Sequence, residues 1–304
     1  MEVEIEPGKY VVAVSGGVDS VVLLDLLTTY YPLLTTAQTQ YEFVVAHFDH
    51  GIREDSEQDR IFVQELAKKY GLKFEYEKEE LGVDASEELA RAHRYKFLNS
   101  ALKKHKAKAI ITAHHKDDLL ETAIFNLLRG TSRSGLSSLK STDKLARPLL
   151  DYKKSEILDY AKAHNLQWRE DPTNQLLKYT RNKIRKFLST LSSVEIKQLL
   201  QIINQSSAQN LEIDDLVAGI FDHGYNEYQC SFDRDFFISL PHKIAKEIVV
   251  HWLGILGANY DKKHIEKLTI NLKTQKNGTK ADVNKKYFFE LSAKQISVKN
   301  RTSV

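Results

Sequence analysis

Ser15-Gly16-Gly17-Val18-Asp19-Ser20 is the segment whose residue types point most directly to chemistry. It follows an apolar run, Tyr10 to Val14, and precedes Val21 to Leu27, so the order reads strand, glycine turn, helix. The glycine pair permits a tight turn and lets a ligand approach the backbone. The helix start beyond it offers free N–H groups and partial positive charge, which suit a phosphate. Ser15 and Ser20 add hydroxyls, and Asp19 can hold a Mg²⁺ that phosphates also bind. No lysine follows the glycines as in GxxxxGK[ST], and the spacing is not GxGxxG. An ordinary strand-to-helix turn is the alternative that a glycine pair alone leaves open.

Three further constellations carry polar chemistry. Ala46-His47-Phe48-Asp49-His50-Gly51-Ile52-Arg53 closes a second apolar run. Alternation puts Ala46 and Phe48 on one side and His47 and Asp49 on the other, and leaves His50 and Arg53 on the loop. Arg53 suits a phosphate; a polar loop with local hydrogen bonds is the plainer reading. Ser86 to Tyr95 begins a helix with Ser86 as N-cap, and Arg91 and Arg94 share a face. They either neutralise phosphate or pair with Glu87 and Glu88. In His114-His115-Lys116-Asp117-Asp118-Leu119-Leu120-Glu121-Thr122, helical geometry groups Asp118, Glu121, Thr122 and Arg129. Leu120, Ala123, Ile124 and Leu127 fall opposite, toward a core. Asp118 and Glu121 suit a cation or an ammonium group, or simply complement the helix dipole. A zinc site lacks both the HExxH spacing and cysteine support.

The elements that position these groups alternate. Apolar runs at Tyr10–Val14, Phe43–Phe48, Lys73–Tyr76 and Ala109–Thr112 are separated by helical patterns near 19–30, 55–70, 86–104 and 116–129. Alternation predicts an α/β fold with a doubly wound parallel sheet. Ligands then bind beyond the carboxyl ends of strands, and SGGVDS, HFDHG and HHKDD follow the first, second and fourth runs. Alternation stops near 188. The reading places a first domain at 1–188 and a second, smaller, mainly helical one at 189–304, with helices near 193–220 and 241–256 and short strands between Gly278 and Val298.

Composition narrows the class. With 42% hydrophobic and 28% charged residues over 304 positions, a globular chain is expected. No apolar run approaches the roughly 18 residues of a membrane span, and the acidic amino end lacks a signal-peptide layout, so no membrane and a cytoplasmic home are expected. One cysteine, Cys230, forbids an internal disulfide. The net charge is only +3, yet residues 262–304 hold eleven Lys/Arg against three acids. Lys178, Arg181, Lys183, Arg185 and Lys186 form a second basic cluster without an acid. Both suit an anionic partner such as a nucleic-acid backbone, or a solvated lysine-rich surface.

SGGVDS resembles the pyrophosphate loop of the N-type ATP pyrophosphatases. With HFDHGIR, ARAHRY, TAHHKDDLLET…LLRG, RPLL and WREDPTN…YTRNKIR following in order over about residues 10–188, the chain resembles the tRNA(Ile)-lysidine synthase family. The further C-terminal domain of longer members is not recognised. The resemblance implies a ligase that adenylates the C2 oxygen of cytidine 34 in the CAU anticodon of tRNA(Ile), then lets the side-chain amine of free L-lysine displace AMP. It implies ATP and Mg²⁺, with Ser15, Gly16, Gly17, Val18, Asp19, Ser20, His50 and Arg53 binding ATP and Asp19 holding the metal. Arg91 and Arg94 would neutralise charge as the phosphoryl bond breaks. Asp118 and Glu121 would hold lysine, and His115 would accept its proton. Arg129, Arg181, Lys183 and Arg185 would grip tRNA. The sequence does not set oligomeric state, and a homodimer stays open. A tRNA thiolase needs sulfur-carrying cysteines that a lone Cys230 does not supply. A small-molecule synthetase would not need the basic clusters, and a non-catalytic RNA-binding scaffold would not need an intact loop.

Overall fold

The computed structural model describes residues 1–34, 40–51, 56–82, 86–131, 133–137, 139–170 and 180–301. The chain divides into two compact units, Met1–Ser206 and Ser207–Val304. The composition change at 188 lies ahead of that division, because Leu188, Ile196, Leu199, Leu200 and Ile203 pack with Leu120 and Ala123 of the first unit.

The first unit holds a sheet of β1 (Gly8–Ala13), β2 (Tyr41–Asp49), β3 (Lys73–Lys78), β4 (Ala109–Ile111) and β5 (Leu145–Ala146) in the order β3-β2-β1-β4-β5. Every pairing is parallel. The intervening helices are α1 (Val18–Leu34), α2 (Ser56–Lys69), α3 (Glu87–Lys104), α4 (Lys116–Leu128), α5 (Lys154–Ala163) and α6 (Thr180–Leu188). Strands covered on both faces read as continuous apolar runs, and β2 is buried from Phe43 to Asp49. Tyr10, Val12, Val45 and Ile111 pack with α1, whereas Val11, Ala46, Phe48 and Ile110 pack with Phe97, Leu98 and Ala101 of α3. α1 is apolar nearly all round because it lies inside that packing: Val21 through Leu24, Leu26 and Leu27 are all buried.

Strand order fixes where a ligand binds. From β1 the chain runs outward through β2 and β3, then returns to place β4 on the other side of β1. The crevice beyond the carboxyl ends of β1 and β4 is therefore the topological switch point. Val12 pairs with Ile111, so the two strands end level. SGGVDS leaves from one and HHKDD from the other.

The second unit carries the rest of α7 (Ser193–Gly224), then α8 (Arg234–Ser239), α9 (His242–Ile255) and α10 (Lys262–Thr274). An antiparallel sheet joins them, in the order β6-β7-β10-β9-β8: β6 is Tyr225–Asn226, β7 Ser231–Asp233, β8 Lys280–Asp282, β9 Tyr287–Leu291 and β10 Gln295–Asn300. Trp252, Phe221, Phe232, Phe237 and Phe289 fill its core. The basic stretch from Lys262 to Asn300 is thus folded into α10, β8, β9 and β10. Phe289, Leu291 and Ile296 turn inward while lysines cover the outside, with Lys280 Nζ 4.8 Å from the Phe288 ring centre.

Candidate active site

The glycine turn after β1 is built by its two serines. Ser20 Oγ donates to the Gly17 carbonyl at 2.9 Å and accepts from the Ser15 N–H at 3.2 Å. Gly16 has φ +93°, which a side chain rarely adopts, and its carbonyl accepts from Arg169 N–H at 3.0 Å. A Cβ added at Gly17 would meet only the Ser15 hydroxyl, at 3.6 Å, so that side of the loop is open to a ligand. A phosphate fits such a cradle at the first turn of α1.

Beyond β2, His47 Nδ1 donates to the Val14 carbonyl at 2.8 Å and so ties the strand to the loop. Gly51 has φ +64°, and a Cβ there would stand 2.9 Å from the Glu80 backbone. His50 packs edge-on against Phe48 with ring centres 4.8 Å apart, and its buried Nδ1 has no hydrogen-bond partner. Burial, then the Arg94 charge, pushes its pKa down to about 4. Arg53 lies outside the described residues.

Arg91 and Arg94 both approach one tyrosine. Their guanidinium carbons stand 4.9 and 5.7 Å from the Tyr95 ring centre, and Arg91 donates to its hydroxyl at 3.4 Å. Ser86 caps their helix as expected, accepting from Leu89 N–H at 3.1 Å. Arg147, from the RPLL segment, is buried nearby with its Nε unpartnered, while its Nη1 donates to the Lys140 carbonyl. His114 registers this group. Burial first, then Arg147, Arg94 and Arg91, takes its pKa down to about 3. Three guanidiniums around neutral His50 and His114 make a strongly anion-seeking patch.

The loop after β4 brings the acids together. Asp118 accepts from the His115 N–H at 3.0 Å, closing the first turn of α4. The buried His115 ring has Asp117 3.4 Å from Nδ1, and Asp118 and Asp19 at 3.5 and 3.8 Å from Nε2. Burial alone would lower its pKa. The Asp117 carboxylate beside it, helped by Asp118 and Asp19, outweighs burial and the net shift is upward. Asp19 itself is gripped by Lys154, whose Nζ donates to both carboxylate oxygens at 2.6 and 2.7 Å. Among the described residues no three His, Cys, Asp or Glu converge as a metal site. Asp19 is the carboxylate on the phosphate loop, and a Mg²⁺ there would need phosphate oxygens to complete its shell.

Glu121 differs from the helical-wheel expectation. It is 3% exposed, turned inward beside Leu120 and Ala123, whereas Leu127, expected in the core, is 60% exposed. The reason is α6, which packs on α4 and supplies cations. Arg185 Nε donates to Glu121 Oε1, and Arg181 Nη1 lies 3.9 Å from Oε2. Oε2 is buried without a hydrogen bond. Burial raises the Glu121 pKa, against the lowering effect of Arg185. Arg181 and Arg185, expected to grip tRNA, thus both face the Glu121 carboxylate. Arg129 and Arg181 flank the Phe125 ring at 5.3 and 5.1 Å. Arg129 and Lys183 are exposed.

Sequence reasoning missed Lys154, Arg147 and Tyr95. Arg147 and Tyr95 lie inside quoted motifs, but no spacing rule links them to the loops. Lys154 follows RPLL closely, and only its partner 135 residues away reveals its place.

Among known proteins, the PP-loop domain family matches residues 2–191. A tRNA(Ile)-lysidine synthase of Thermotoga maritima is 42% identical over 189 residues, covering 60% of this chain and 44% of that protein. One of Wolbachia pipientis wMel is 34% identical over 270 residues, covering 83% of this chain and 60% of that protein. This chain therefore spans about half the length of such relatives. The U34-tRNA thiolase NcsA from Methanococcus maripaludis, with its [4Fe-4S] cluster, superposes with a TM-score of 0.56 at 17% identity, covering 67% of this chain and 73% of that one. At that identity the likeness is one of fold alone. No helix among the described residues is long and apolar enough to cross a membrane. The family match embraces the glycine loop, the arginine helix and the acidic helix start together, and by it the chain belongs to the PP-loop domain family.

Proposed function

We propose that this protein is a cytoplasmic ligase that makes lysidine. It would use ATP to adenylate the C2 oxygen of cytidine 34 in tRNA(Ile) with a CAU anticodon, then join the side-chain amine of free lysine, releasing AMP. The observation that carries the reading is the meeting, at one switch point, of a phosphate loop with acids suited to an amine. Asp19 of the loop and Asp118 of α4 lie within 3.8 Å of the same His115 ring nitrogen.

Each residue has a task it is chemically suited to. The Ser15–Ser20 loop holds the phosphates, and Asp19 with those phosphates would hold Mg²⁺, which supplies charge neutralisation when bound. Arg91, Arg94 and Arg147, beside neutral His50 and His114, stabilise charge on the phosphoryl group in transit. Free lysine at neutral pH is a net cation with two ammonium groups and one carboxylate. Asp118 and Glu121, whose buried Oε2 accepts no hydrogen bond, suit its α-ammonium, and Arg181 and Arg185, which rest on Glu121, would turn one donor each to its carboxylate, leaving the side-chain amine to react. That amine has an ordinary pKa near 10.4 and must lose a proton before attack. His115, its basicity raised by three carboxylates, is the acceptor beside it. Exposed Lys183 and Arg129 face the tRNA. The target base must be splayed out, which an anticodon loop permits.

The test incubates purified protein with ATP, labelled lysine and total tRNA. Label is expected in the CAU-anticodon isoleucine tRNA alone, with one AMP released per lysine joined. Label in no tRNA, or label independent of ATP, overturns the reading.

A further inference from the structure

We propose that Lys154 is a catalytic residue of the adenylation step, the cation that receives the departing pyrophosphate. The inference rests on the ATP-dependent reading above. The glycine loop has no lysine of its own. The fold brings one from α5, a helix that begins far along the chain, to the first turn of α1.

Its placement is fixed from two directions. Lys154 N–H donates to Asp117 Oδ2 at 2.8 Å, and Lys116 N–H donates to the Tyr152 carbonyl at 2.9 Å. These bonds lace the starts of α4 and α5 together. Ile157, Tyr160 and Ala161 of α5 then pack into the core that contains α1. Only the ammonium is left to reach outward, and it sits on Asp19 through both oxygens with the side chain 37% exposed. An ammonium on a flexible stem, half in solvent and at the lip of a phosphate cradle, can change partners without refolding.

The step balances without a proton transfer. The C2 oxygen of the base bonds to the α-phosphorus as the bond from that phosphorus to the bridging oxygen breaks. The electron pair leaves on pyrophosphate. Lys154 Nζ, charged throughout, trades an Asp19 oxygen for an oxygen of the leaving group, which leaves an Asp19 oxygen that would hold a divalent cation. Arg91, Arg94 and Arg147 gather around Tyr95 and His114 instead, so the two sets of cations have separate tasks.

The experiment compares wild type with Lys154→Ala and Lys154→Arg by calorimetry with magnesium pyrophosphate, and by tRNA-dependent exchange of pyrophosphate into ATP. Lys154→Ala is expected to bind pyrophosphate at least about tenfold more weakly. Its exchange kcat is expected to fall by about 100-fold or more, with the KM for lysine unchanged. Lys154→Arg restores most of both, because charge at that point is what matters, and the thermal midpoint stays at the wild-type value. Equal pyrophosphate affinity in wild type and Lys154→Ala overturns the proposal. So does an equal loss in Lys154→Arg together with a lowered thermal midpoint, which would make the residue a structural tie. If Lys154 governs pyrophosphate affinity and exchange but no tRNA takes up lysine, the lysidine reading fails while this role stands.

Discussion

Replacing Arg185 by methionine leaves Glu121 buried with its nearest remaining cation, Arg181, at 3.9 Å. Breaking a buried ion pair by removing one partner costs about 3–5 kcal/mol, because an uncompensated charge stays in the interior. Here the arginine is 43% exposed against 4% for the glutamate side chain, so water already carries part of the field. The discounted cost is about 2–3 kcal/mol at neutral pH. Glu121→Gln acts the other way round. It removes the buried charge and leaves the arginines partly in solvent, so its cost is about 1 kcal/mol. The two variants differ in pH dependence as well. Glu121 already has a pKa above the usual 4.5, and losing Arg185 lifts it further. A carboxyl raised in the folded state takes up its proton before the unfolded chain does. Its contribution is most favourable below the unfolded pKa and is lost as pH rises through the folded one. The deficit of Arg185→Met is therefore larger at pH 7 than at pH 5. Urea unfolding in a Trp252→Phe background reads this, since Trp168 then reports on the unit that holds Glu121. A Glu121→Gln variant less stable than Arg185→Met at pH 7, or an Arg185→Met deficit that grows on acidification, refutes the reasoning.

Other outcomes follow from the same geometry. His115 should titrate above 6.5 by NMR, and Asp118→Asn should lower its midpoint; an unmoved midpoint would mean that the neighbouring carboxylates do not set its basicity. His50, at about 4, should stay neutral down to pH 5, so its share of stability is present above 6.5 and declines as acid approaches its folded pKa. Gly51→Ala should destabilise by about 1–3 kcal/mol, since the positive φ and the Glu80 backbone both oppose a Cβ; a Tm within error of wild type would contradict this. Lys183→Gln should weaken tRNA binding and reduce the log–log salt slope by about 1, whereas a slope that holds steady removes Lys183 from the phosphate contacts.

Several features of this chain are legible in the order of its residues. The SGGVDS turn, the Ser86 cap and the four principal strands rest on neighbours in sequence, where glycine freedom, capping and side-chain period act over a few residues. Strand–helix alternation then fixes a parallel sheet, and with it the end of the sheet where chemistry gathers. Tertiary structure alone decides the pairing of charges. Helical spacing sets Glu121 with Asp118 on a polar side, yet it carries no information about α6, whose Arg185 lies 64 residues on and draws that carboxylate inward. Lys154 meets Asp19 across 135 residues for the same reason. In the basic stretch from 262 lysines dominate the composition, and only the packed structure shows that Phe289, Leu291 and Ile296 seat it in a core. Local rules set which elements form; which charges they desolvate depends on packing between elements distant in the chain.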